Sequence, residues 1–219
     1  MSNGTLLWYM VAWQQILRNW TVLEFAIGWT PFGIFGTIGA FLGAWLIPRL
    51  AAQWILAIGA ASVLISNILL ATMPEQQTYW AQVFPATILM AFCPDFVYTA
   101  AQIIASNSVR RSQQGIAASL IGTLNLYGNS LGLGFAGTVE TEINKKSFDP
   151  VKGYRAALYF GAAISAVALL VDMVFVRVKR DEREGWEDEV DRLATVVREP
   201  EGISTAVRRG NASLERMSH

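Results

Sequence analysis

Only fifteen of the first 176 residues carry a charge, whereas nineteen of the remaining 43 do. A water-facing globular surface needs charge on about a quarter of a chain's residues, so the stretch up to Val176 cannot build one. Hydrocarbon is the solvent that fits. The apolar fraction of 53% over all 219 residues decides little by itself, because soluble domains also reach it.

Six apolar runs lie within that stretch: Leu6–Leu17, Val22–Ile47, Ala51–Thr72, Trp80–Ala105, Gly115–Val139 and Ala156–Val176. Five reach the ~30 Å of a bilayer core; the first, at roughly 18–20 Å for ~1.5 Å per residue, falls short. Backbone polar groups must be paired in lipid, so helices joined by brief interfacial turns are expected. The runs do not alternate as barrel strands would. The expected fold is an all-α membrane protein with six transmembrane helices over residues 1–177 and a charged cytoplasmic tail over 178–219. In the tail, Trp186, Val190, Leu193 and Val197 recur at helical spacing and predict a short helix around 186–197, with disorder after it.

With both termini cytoplasmic, seven basic residues flank the inner span ends and five the outer ones, which favours that orientation. Trp8, Trp13, Trp20, Trp45, Trp54 and Trp80 fall near span ends, as an aromatic belt requires. The zero net charge and the lack of a basic patch argue against nucleic acid as a partner. The single cysteine, Cys93, sits in an apolar run and reads as a small buried hydrophobe. The single histidine is the last residue, His219, so no cofactor or metal chemistry that needs an internal histidine is expected.

An ionisable side chain deep in a bilayer is costly, by ~2.5–3.5 kcal/mol on insertion scales. Asp95 is the clearest case, about 22 Å beyond Trp80 at ~1.5 Å per residue. Pro94 removes the amide that would bond the Met90 carbonyl and predicts a kink there. Asp95, Tyr98 and Gln102 share a helix face by their spacing, and could bind a proton or line a substrate cavity. Packing through hydrogen bonds alone is the other reading. In the fifth run, Asn125 and Asn129 lie on a small, polar stripe with Ala118, Gly122 and Gly132, and either line a cavity or pack. Gly39–Gly43 and Gly128–Gly132 are GxxxG pairs and predict close helix packing. Glu24, Asp172 and Glu140 lie near span ends and read as interfacial, with Glu140 closing its helix.

The stretches Pro94–Asp95, Ala100–Asn107, Gln113–Leu120, Gly132–Gly134 and Gly137–Glu140 together resemble the major facilitator superfamily. More narrowly, they are similar to the fungal fourteen-helix drug:proton antiporter branch of the aminotriazole-resistance type. Gly43–Arg49 resembles the superfamily's cytoplasmic loop motif G-x-x-x-D-R-x-G, but Ile47 or Pro48 occupies its acidic position. The resemblance covers roughly residues 5–190. It implies efflux of drugs or secondary metabolites in exchange for protons at the plasma membrane, with Asp95 and Gln102 in the central cavity. Such transporters place their site between two six-helix halves, so the chain corresponds to the C-terminal half. A first span that starts almost at Met1 carries the expectation of a truncated product; a second half-transporter or a homodimer would complete it otherwise. The competing readings are a small polytopic membrane enzyme, which would want two or more acids at one pocket, and a non-catalytic membrane subunit.

Overall fold

The computed structural model describes residues 1–47, 49–109, 113–147 and 149–176. The tail helix expected around 186–197 lies outside them. Among the described residues the secondary structure is helical: α1 (Ser2–Ala12) with a π-helix over Trp13–Leu17, α2 (Val22–Leu46), α3 (Ala52–Ala71), α4 (Val83–Asn107), α5 (Gln114–Ser147) and α6 (Pro150–Phe175).

Local chemistry explains where several of these helices begin. Thr21 and Glu24 form a capping box: the Glu24 amide donates to Thr21 Oγ1 at 3.3 Å, and the Thr21 amide donates to Glu24 Oε2 at 2.8 Å. Glu24 is thus a cap. Asp149 starts α6 by accepting from the Val151 amide at 3.0 Å, with Pro150 at the first helical position. Asn19 turns the chain between the π-helix and α2 with φ of 53°, a left-handed conformation that asparagine tolerates.

The helix boundaries depart from the apolar runs at several ends: α1 begins at Ser2, α4 at Val83 and α6 already at Pro150. The fifth helix does not end at Val139 but continues to Ser147, so Glu140 lies inside it and closes nothing. Polarity marked where the chain leaves hydrocarbon, not where its helix stops; a Lys145–Glu142 pair at 2.9 Å supports the extra turns. Lys145 also holds the Glu142 carboxyl below the usual carboxylate range. Helices α2, α3, α4 and α6 are long and apolar enough to cross a membrane by themselves, whereas α1 is short. The fifth helix is long but diluted by glycine, asparagine, serine and threonine.

The third helix packs on α4 and α6, α2 on α4, and α5 on α6, with α1 set against α5 and α6. The core between them holds Leu6, Tyr9, Met10, Val63, Leu70, Met90 and Leu158. Trp13 belongs to this core at 2% exposure, beside Tyr154, and so is no part of an interfacial belt. Cys93 is buried as a small hydrophobe. By contrast, α2 buries only Gly39 and Gly43, and α5 only Gly132 and Ala136. Those two helices touch the bundle along narrow seams and present the rest of their surface outward, to lipid or to another bundle.

Candidate functional site

Asp95 stands at the midpoint of α4 (Val83–Asn107), which runs unbroken through Pro94, as α2 does through Pro31. A Cβ built on Gly39 would lie 3.4 Å from Asp95 Oδ2 and 3.1 Å from Phe92 Cδ1. One turn along α2, a Cβ on Gly43 would meet the Phe96 ring at 3.5 Å. Glycine at both positions lets α2 approach the acid-bearing face of α4 closely. Among the described residues, no hydrogen bond or ion pair reaches the Asp95 carboxyl.

Tyr98 and Gln102 turn the other way, towards α5. Gln102 Nε2 donates to the Ala118 carbonyl at 3.3 Å, and the Tyr98 hydroxyl lies 3.6 Å from a Cβ built on Gly122. The three residues therefore straddle α4, the acid on the α2 side and the other two on the α5 side. No hydrogen bond links Asp95 to either. The antiparallel register that sets Gln102 beside Ala118 and Tyr98 beside Gly122 carries Asp95 to about the level of Asn125. Asn125 is exposed and has no partner among the described residues. Asn129, one turn further, is drawn to α1: its Cβ lies 3.0 Å from a Cβ built on Gly4, and its Oδ1 accepts from the Met1 amino group at 3.5 Å. Gly128 and Gly132 also face Met1. The polar stripe of α5 is thus shared between two neighbours, α4 at one end and α1 at the other.

Three features were not legible from spacing. Ser2 Oγ donates to the Gly161 carbonyl at 2.7 Å while accepting from Asn67 Nδ2 at 3.0 Å and Ser165 Oγ at 2.6 Å, tying α1, α3 and α6 together. The Tyr9 hydroxyl donates to Glu140 Oε2 at 2.7 Å, so Glu140 joins α5 to α1. Asp172 is buried to 4% exposure instead of interfacial, because α6 turns that face inward. Serines and an asparagine scattered over three runs carry no common signal until the fold brings them together. The acids stood out as charges, but not by their neighbours. At the degenerate loop motif, Arg49 donates to the Trp45 carbonyl at 2.9 Å and stacks 3.9 Å over the Trp45 ring. Backbone and ring here occupy a guanidinium that the motif's missing acid would otherwise hold.

The family model of the Major Facilitator Superfamily matches residues 1–211. The chain belongs to the major facilitator superfamily. Its relatives include the efflux pump terJ of Aspergillus terreus, 35% identical over 170 residues that make up 77% of this chain and 33% of terJ. An MFS-type transporter of Schizosaccharomyces pombe is 38% identical over 172 residues, 78% of this chain and 33% of that one. The aminotriazole resistance protein of Saccharomyces cerevisiae is 29% identical over 175 residues, 80% of this chain and 32% of that one. The chain spans about a third of the length of these curated relatives. Among the described residues, six α-helices make a multi-pass membrane protein with the architecture of half a major facilitator fold, and the relatives are named as transporters, an efflux pump and a resistance protein, not as enzymes.

Proposed function

We propose that this chain forms one wall of a proton-coupled efflux transporter for small organic molecules, with Asp95 as the proton-binding group. It does not act as an enzyme, and it lies in the plasma membrane with both termini cytoplasmic. One observation carries the reading: a lone carboxyl at the middle of a membrane-spanning helix, with no partner among the described residues. An acid in that position is costly unless it gains and loses a proton or meets a substrate. Tyr98 and Gln102 on the α5 side of α4, with Asn125 and Asn129 on α5 itself, supply hydroxyl and amide groups suited to a polar cavity that a second bundle closes over the open faces of α2 and α5. That second bundle is either the rest of a longer chain or another copy. The relatives named as efflux pumps and as an aminotriazole resistance protein support export as the direction.

Cells with and without the chain are compared for accumulation of aminotriazole and a panel of aromatic metabolites, at two external pH values. The expected outcome is lower accumulation with the chain, lost in Asp95→Asn at equal membrane abundance. Identical behaviour of wild type and Asp95→Asn would exclude proton coupling through this residue.

A further inference from the structure

Gln14 is the second residue of the π-helix that ends α1, and it is 2% exposed. Its carboxamide makes no hydrogen bond to any described residue, and Oε1 is wholly buried. A buried amide without partners destabilises the protein that holds it, and π-helical turns are frequent at functional sites. Two crevices meet at Met10 and Gln14, each too narrow in this conformation to seat a water molecule. The second is walled by Trp20, Phe25, Trp29 and Tyr79. Trp20 and Tyr79 lie 5.7 Å apart and Phe25 and Trp29 5.5 Å apart, centroid to centroid. Trp29 Nε1 is a buried donor without a partner among the described residues.

The walls select a flat aromatic body, and the orphaned carboxamide selects a hydrogen-bond donor on it. Charge selects against a cation. Arg18, four residues after Gln14, donates to Met73 Sδ and to the Gln77 carbonyl and has no carboxylate partner among the described residues. Met10, a flexible side chain one turn before Gln14, lines both crevices, and its sulfur accepts from Thr87 Oγ1 at 3.9 Å. We propose that Gln14 anchors a second binding site, where α1 meets α2, for neutral planar aromatic molecules carrying an N–H or O–H donor. This site uses none of the groups around Asp95.

Indole and 1-methylindole differ in the donor and serve as probes. Saturable binding to the full chain in lipid nanodiscs is measured by equilibrium dialysis against empty nanodiscs, with no pH gradient. Indole binds about tenfold more tightly than 1-methylindole, the effect of one buried hydrogen bond. Gln14→Met, close to Gln14 in shape, abolishes that preference and raises the melting temperature of the unliganded protein. Gly28→Ala, whose Cβ would sit 3.0 Å from Trp20 Cζ3, weakens both probes alike with Gln14 intact. Asp95→Asn changes neither, which separates this site from the transport reading. Equal affinity for the two probes, absence of saturable binding, a preference that survives Gln14→Met, or binding untouched by Gly28→Ala would each overturn the proposal.

Discussion

Gly39 on α2 leaves room for the Asp95 carboxyl on α4, whose Oδ2 would stand 3.4 Å from any Cβ placed there. The contact brings the one acid at the middle of α4 against a helix that buries only two residues, both glycine. Close approach, not a counter-charge, defines the surroundings of Asp95 on that side.

The first prediction concerns that seam. Gly39→Ala asks Phe92, 3.1 Å from the added methyl, to shift slightly, and the protein should tolerate it. Gly39→Val adds bulk that the Phe92 ring and the Asp95 carboxyl cannot both yield to. Overpacking of this kind costs about 1–3 kcal/mol. Thermal unfolding in detergent should rank wild type, Ala and Val in that order, and a Val variant as stable as wild type would show that α2 is not held against α4 here.

A second prediction tests the buried serine–asparagine cluster. Asn67 is fully buried, donating to Ser2 Oγ at 3.0 Å and to the Val63 carbonyl at 2.9 Å. Asn67→Ala should destabilise the bundle by about 0.5–2 kcal/mol, the span measured for interhelical polar contacts in membranes. Gly161→Ala should also destabilise, since its methyl would come 2.6 Å from Asn67 Oδ1. In Gly161→Ala/Asn67→Ala the clash is gone, so the pair should cost less than the sum of the two singles. Strict additivity in unfolding equilibria would contradict the contact.

The tie between α1 and α5 gives a third. Tyr9→Phe removes the hydroxyl that donates to Glu140 Oε2 and should cost about 1–2 kcal/mol, a charged-acceptor bond reduced by competition in the membrane. A cycle with Glu140→Gln should show coupling between the two positions. If the two changes prove additive within about 0.3 kcal/mol, the hydrogen bond contributes nothing.

Alkaline pH offers a fourth. Burial raises the Tyr79 hydroxyl above its ordinary value, and that hydroxyl donates to the Gly28 carbonyl at 2.6 Å. An acid whose folded pKa is raised contributes stability that is complete below its unfolded value, near 10 for tyrosine. That contribution is lost as pH rises through the higher folded value. Melting temperature should therefore fall above about pH 10 in wild type, and less steeply in Tyr79→Phe. Parallel pH profiles would place the alkaline loss elsewhere.

Asp95 was visible in the sequence because it is a charge far from either end of a long apolar run. Its partners were not visible. Helical spacing put Asp95, Tyr98 and Gln102 on one face, yet the bundle assigns the acid to α2 and the other two to α5, since a helix face wide enough for three residues meets two neighbours. Trp13 illustrates the same limit. Its place near a span end suggested the lipid interface, but the π-helix carries it into the core beside Tyr154.

Sparse charge and run length determined a membrane-embedded helical chain, and small residues at a spacing of four marked seams where helices could close. Those properties belong to single segments, and the solvent acts on each segment separately. Which seam meets which helix, that Glu140 answers Tyr9, that Asp172 faces inward, and that the Gln14 carboxamide has no partner among the described residues were decided only in three dimensions. Pairing depends on residues distant in the chain whose meeting no local periodicity encodes.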